Sequence, residues 1–356
     1  MFSRTPRPAT RRLPIPAWVL RAIASRRGRL GLAVGAAALL VIPFVASSYE
    51  LDLANQVLLA SVGALALMLL TGFAGQISLG HAGLMAAGAF TVGIAYKEFG
   101  APFWVALPAS AVLGAMLGLI FGLPSVRLRG LYLAVSTLAL HFVVIYLCGE
   151  YETNRAMSSA IMVNAPVVFG HQIYGDRIWY FLLLAAVVVT LILCANLLRS
   201  RTGRAWGAIR TNETVAAAMG INVPRYKLLA FVISATVTTV SGALFAYQRG
   251  FVSVDAFSFY LTIQYVAMII IGGMPSLAGA LLGATFIVLL PHAIQGVLLP
   301  MLGADNPGSA FAAIYAAFGA VMIFFLMFEP RGLLGAWRRI QRRLRFKRVP
   351  LGEVSE

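Results

Sequence analysis

Three sets of polar side chains stand inside otherwise apolar runs of this sequence. They are Gln76, Ser78 and His81 in "TGFAGQISLGHAG" (71–83), Ser136, Thr137 and His141 in "STLALH" (136–141), and the neighbours Gln264 and Tyr265. Amide, hydroxyl and imidazole groups embedded in a span can line a path for a polar solute, and imidazoles can also relay protons. No two of His81, His141, His171 and His292 have metal-ligand spacing. Paired carboxylates and a nucleophile beside a base are missing from the apolar runs, which gives a membrane enzyme little support. Cys148 and Cys194 lack partner spacing, so no disulfide framework arises.

The elements that must position these groups are membrane spans. The chain has 356 residues, 60% hydrophobic and 11% charged, with a mean hydropathy of +0.86. One globular core cannot bury that much apolar surface. Runs near the length of about 20 residues that a crossing needs recur at 31–46, 54–71, 78–96, 102–123, 131–149, 178–197, 228–247, 260–274, 276–295 and 309–328. They predict an all-α polytopic membrane protein with about ten transmembrane helices. With the N-terminus inside, 24 of the 28 Lys and Arg residues fall on the inner side and eight of the twelve Asp and Glu on the outer. This asymmetry is the positive-inside rule with both termini cytoplasmic, and it accounts for the net charge of +16 without nucleic acid. The expected organisation is a basic cytoplasmic tail (1–30), a transmembrane domain (31–328) and a second basic tail (329–356) lying against anionic lipid headgroups. The first apolar run reads as an uncleaved helix rather than a signal peptide, because the basic region before it is too long.

Residues 54–96 are too many for one crossing, since a single helix over them would be roughly 65 Å long at about 1.5 Å per residue. Gly72, Gly75, Gly80 and Gly83 place a break at 72–83. Unwound backbone at membrane depth must be buried in protein or line a wet cavity. Gln76, Ser78 and His81 therefore either satisfy a tight helix–helix turn or face a solute pathway, to which the helix ends would add their dipoles. Ser136 and Thr137 either bond the preceding turn or join that pathway. Thr137 and His141 share a helix face, and His141 and Gln264 are costly to bury unpaired. A short echo, "GQISL" at 75–79 and "GMPSL" at 273–277, points to an internal duplication of the kind found in transporters.

Two loops stand out. The outer, periplasmic one (150–177) is a connector, a roof over a pathway or a contact for an external partner. In the inner one (197–227), Asn212 is a helix N-cap, Glu213 lies in the first turn, Gly220 stands at C′ and Pro224 beyond. A self-capped helix of about seven residues follows, well under the ~12 needed for stability alone, so something must pack against it. Val215, Ala216 and Met219 make a small apolar face, with Arg201, Arg204 and Arg210 around the approach. The helix either rests on its own bundle or docks in a groove of a cytoplasmic partner.

The stretches "GFAGQISLGHAGLMAAGAF" (72–90), "LRGLYLAVSTLAL" (128–140), "SRTGRAWGAIRTNETVAAAMGIN" (200–222), "KLLAFVISA" (227–235), "SGALFAY" (241–247), "GGMPSLAGALLGA" (272–284) and "EPRGLLG" (329–335) together resemble permease subunits of the branched-chain amino acid ABC transporter family, LivM type. The resemblance runs from about residue 31 to 335. It implies that the inner loop couples to a nucleotide-binding subunit through Gly203, Arg204, Arg210, Asn212, Glu213, Ala216, Ala217 and Gly220. It also implies a LivH-type second permease subunit, two cytoplasmic ATPase subunits and a periplasmic substrate-binding protein, assembled in a bacterial inner membrane. No GxxxxGK[ST] phosphate loop occurs, so the chain is expected to hold no cofactor, with ATP and Mg bound by the partners. Two departures bear on the solute: "TNRAMSSAIMV" stands where many members carry a glycine-rich stretch, and His141 where many carry an acid. Branched-chain amino acids, urea, short amides and aromatic acids all stay open. The alternative is a proton- or ion-coupled secondary transporter using His81 and His141, disfavoured because Asp and Glu fall only in loops and at span ends.

Overall fold

The computed structural model describes residues 39–302, apart from 129, 157–159 and 169–170, together with 316–324, 327 and 332–335. In chain order the helices are α1 (Ser48–Leu67), continued by a π-helical turn (Met68–Phe73), α2 (His81–Phe99), α3 (Phe103–Arg127), α4 (Leu131–Tyr151) and α5 (Asp176–Arg199). The short α6 (Arg201–Thr211) and α7 (Glu213–Ala218) follow, then α8 (Val223–Arg249), α9 (Phe259–Gly272) and α10 (Leu277–Leu302). Among the described residues, 7 helices are long and apolar enough to cross a membrane. Half of each of the first and last expected spans, 31–46 and 309–328, lies outside the described residues, which are helical at 39–45 and 316–324. The tails at 1–30 and 329–356 lie outside them too, except for 332–335.

Element ends differ from the hydropathy reading where polar groups extend a helix. The expected span at 54–71 begins at Ser48, because Ser47 and Glu50 form a capping box: the Glu50 carboxylate accepts from Ser47 N–H at 2.8 Å and the Ser47 hydroxyl from Glu50 N–H at 3.4 Å. The helix expected at 78–96 starts at His81, since the chain stays unwound through Gly80.

The centre of the bundle is α2. Its residues 81–90 are all buried, with α8, α3, α4 and α9 around it. Lipid tails are as apolar as leucine, so helices in a bilayer associate through close packing and interhelical hydrogen bonds. Both are present here. A Cβ at Gly88 would lie 1.9 Å from Thr239 O, and one at Gly242 would lie 2.0 Å from Met85 O, so α2 and α8 touch backbone to backbone. Along the same helix Ser234 donates to Ala66 O (2.8 Å) and Ser241 to Leu59 O (3.4 Å), tying α8 to α1. The outer faces of α3, α4 and α5 expose Val112, Leu123, Phe142, Tyr146 and Val189, as lipid contact requires.

The 150–177 loop is latched to its neighbours. Strand β1 (Ile161–Met162) pairs antiparallel with β4 (Phe251–Val252), which directly follows α8, and β2 (Val167–Val168) pairs with β3 (His171–Gln172). The buried Glu152 carboxylate accepts from the Ser253 hydroxyl (3.1 Å) and Val254 N–H (2.8 Å), fastening the loop's start to the same place.

Candidate functional site

The break between α1 and α2 is closed by protein groups from other helices. Gly75 takes φ 72°, a left-handed conformation that favours glycine. Around it Thr71 donates to Gln76 O (3.0 Å), Gln76 Nε2 to Lys227 O of α8 (3.1 Å), and Leu79 N–H to Thr137 Oγ1 of α4 (2.9 Å). Gly80 N–H reaches Ser78 Oγ at 3.4 Å, and Ala82 N–H reaches Thr262 Oγ1 of α9 at 3.0 Å. Donors that would be ruinous in hydrocarbon are thus satisfied by three separate helices. Thr137 also does what threonines in spans commonly do, donating to Ala134 O at 2.9 Å.

The two histidines flank the first turn of α2. His81 is 2% exposed, its ring 4.6 Å from that of Tyr265, with Nδ1 3.5 Å from the Thr238 hydroxyl. His141 is 1% exposed and pressed against the turn's other side: a Cβ at Gly83 would lie 3.0 Å from its Nδ1. Phe259 of α9 covers it at 6.2 Å between ring centroids. His81 Nε2, His141 Nδ1 and Gln76 Oε1 are all buried without a hydrogen-bond partner. Since buried polar groups are normally paired, these three atoms single out the turn as the candidate site.

The remaining predicted residues are not all brought to this place. Gln264 is half-buried on α9, one position from the fully packed Tyr265. Ser136 lies elsewhere, in an open groove of about 690 Å³ between α3 and α4, with Ile120, Leu123, Pro124, Arg127 and Leu140. Sequence reasoning missed Thr238 and Thr262, which meet His81 and the break. The signal was present: Ser234, Thr238 and Ser241 recur at helical spacing along one face of an apolar span.

The inner loop contains two helices where one was expected. Ser200 caps α6, accepting from Thr202 N–H at 3.1 Å, and the buried Trp206 anchors it by donating from Nε1 to Tyr226 O at 2.8 Å. Gly203 belongs to this corner, since a Cβ there would lie 2.2 Å from Leu198 O. Asn212 caps α7 as predicted, accepting from Thr214 N–H (3.0 Å) and Val215 N–H (3.1 Å), and Gly220 takes φ 82° beyond it. The expected apolar face is split. Ala216 turns into the protein at 2% exposure, which removes it from an outward contact, while Val215 and Met219 are 58% and 78% exposed. Arg204, Arg210, Asn212, Ala217 and Gly220 are exposed too. The seat of α7 is an ion pair, Glu213 to Lys227 at 2.5 Å, with the Lys227 side chain 5% exposed and that of Glu213 24%.

A helical bundle built round an enclosed, broken helix with polar atoms at its bend has the arrangement that transport proteins use at their solute sites. Comparison with known proteins gives the same class and narrows it. The chain belongs to the family of branched-chain amino acid transport system permease components, whose profile matches residues 50–328. It is 31% identical to the high-affinity branched-chain amino acid transport system permease protein LivM of Salmonella typhimurium, covering 83% of this chain and 73% of that one. It is 27% identical to the probable branched-chain amino acid transport permease protein LivH of Methanocaldococcus jannaschii (70% and 80%). The autoinducer 2 import system permease protein LsrC of an Enterobacter species is 28% identical (74% of each chain). No solved structure matches significantly. The protein is a multi-pass membrane permease of the bacterial inner membrane, a transport subunit without enzymatic activity of its own.

Proposed function

We propose that this chain is the membrane-spanning subunit of an ATP-driven importer for branched-chain amino acids or a related small polar or amphipathic solute. Two cytoplasmic ATPase subunits, which bind the ATP and Mg, a LivH-type second permease subunit and a periplasmic binding protein complete it. The chain itself carries about ten crossings with both ends cytoplasmic. The observation that carries this reading is α7: a six-residue helix, capped at both ends and pinned to the bundle through Glu213, that offers Val215 and Met219 to whatever lies beneath the membrane. Two exposed apolar side chains on so short a helix are what a receiving groove would bind. The solute path is assigned to the first turn of α2 with His81, His141, Tyr265 and the neighbouring Gln264.

The test replaces the outward residues alone. Val215→Glu with Met219→Glu leaves the Asn212 cap and the Glu213–Lys227 pair intact, so the chain should insert normally. ATPase subunits that co-purify with the wild-type chain should be lost from the variant, and nucleotide-driven uptake in vesicles with them. Unchanged co-purification refutes the docking role of α7.

A further inference from the structure

The inner loop does not simply hang from α8. Trp206 of α6 holds the carbonyl of Tyr226, Glu213 of α7 holds the Lys227 ammonium, and Gln76 holds the next carbonyl, that of Lys227, from the unwound break. Beside it Gly75 fits closely on α6, since a Cβ there would lie 3.1 Å from Arg210 Cγ and 3.4 Å from Arg210 Cα. Two consecutive residues of the break are therefore held, Gly75 against α6 and Gln76 on the start of α8, where Lys227 in turn pairs with Glu213 of α7. Only Ile77 to Gly80 separate this clamp from α2 and the two histidines at its first turn. The side chain of Gln76 is held by its nitrogen alone, because Oε1 is buried without a partner. A side-chain amide that merely filled the bend would be expected to use both ends.

We infer that Gln76 is a positioning residue for transport: through its bond to the Lys227 carbonyl it carries displacement of α6 and α7 into the enclosed helix α2. This rests on the ATP-driven reading above. It adds a second route to the covalent one through α8, and it delivers motion to the turn where the path is assigned. A ligand shifts an equilibrium only through contacts that differ between two states, and a single half-used amide is a contact that can differ.

The test reads motion directly and needs no identified solute. Cys148 and Cys194 are buried, so nitroxide labels can be placed at Phe99→Cys, at the exposed end of α2, and at Val189→Cys on the lipid face of α5. A second pair uses Arg225→Cys, at the start of α8, with the same Val189→Cys. Distances are measured in the complex purified through this chain, with and without ATP and vanadate. In the wild-type background both pairs should shift. With Gln76→Leu the shift at Phe99 should fall at least threefold while that at Arg225 persists. If Gln76→Leu does not assemble, Gln76→Asn, one methylene too short to reach the Lys227 carbonyl, gives the same readout. A Phe99 shift that ignores Gln76, or one absent from the wild type while Arg225 moves, overturns the relay alone. No nucleotide response at either pair overturns the ATP-driven reading and the relay with it.

Discussion

Two breaks in this molecule share three of five residues, an opening glycine at positive φ and a neighbourhood, yet they are held in different ways. "GQISL" separates α1 from α2, and "GMPSL" separates α9 from α10. Each opens on a glycine at positive φ, 72° at Gly75 and 104° at Gly273, and each sets a serine hydroxyl on a backbone N–H just after it, Ser78 on Gly80 and Ser276 on Gly279. They lie side by side, since a Cβ at Gly72 would be 3.8 Å from Pro275 Cα. The first is wired to α4, α8, α9 and the inner loop by side chains. The second is packed mainly by glycine backbone: a Cβ at Gly279 would meet Gly273 O at 2.6 Å, and one at Gly332 would meet Gly273 Cα at 2.6 Å. One motif thus serves as a junction in the first half of the chain and as a tight corner in the second. The duplicated residues give the bend, and the residues around them give its role.

Substitutions can break this contrast. The largest effect is expected from Lys227→Met, which removes the cation of the Glu213–Lys227 pair. Losing one partner of a buried pair costs about 3–5 kcal/mol, and partial exposure of Glu213 should bring this to roughly 2 kcal/mol, read as a fall in thermal midpoint that Lys227→Met with Glu213→Leu largely restores. Next come Gly75→Val and Gly273→Val, each strained by about 1–3 kcal/mol at its positive φ. Both should lower stability, but only Gly75→Val should also expose α6 to protease, because its side chain strikes Arg210. Thr262→Val keeps the shape and leaves the Ala82 N–H unpaired, for about 1 kcal/mol in a bilayer, where interhelical bonds average near 0.6 kcal/mol. It should be detected as faster hydrogen exchange at Ala82. The smallest effect is Ser276→Ala, under about 1 kcal/mol, because a cap on a well-packed helix is only one of its supports. If Ser276→Ala disturbed the inner loop as Gly75→Val does, the contrast between junction and corner would be wrong.

Much of this was legible from residue types. Glycine spacing located the first break, and Asn212 with Gly220 located α7, because φ above zero and N-capping are local demands that few residues meet. The echo at 273–277 was visible and turned out to mark a second bend. What could not be read was partnership. Lys227 looked like one more inner-side cation, and its pairing with Glu213 depends on the chain folding back over α6. Ser136 and Thr137 are sequence neighbours on one helix, yet one faces an open groove and the other the break, a choice made by where α3 and α2 lie. The α6 helix was missed because its anchor, Trp206, meets its acceptor only after the corner at Gly203 is turned.

Helix α8 is 27 residues long, about 40 Å at 1.5 Å per residue. Its lower end is gripped by Trp206, Glu213 and Gln76, and its upper end runs into β4, where the outer strands and Glu152 are fastened. A stiff spoke of this kind conducts in both directions. By reciprocity, anything that binds the β1–β4 strands and prefers one setting of α8 must also bias the contacts at the helix's other end.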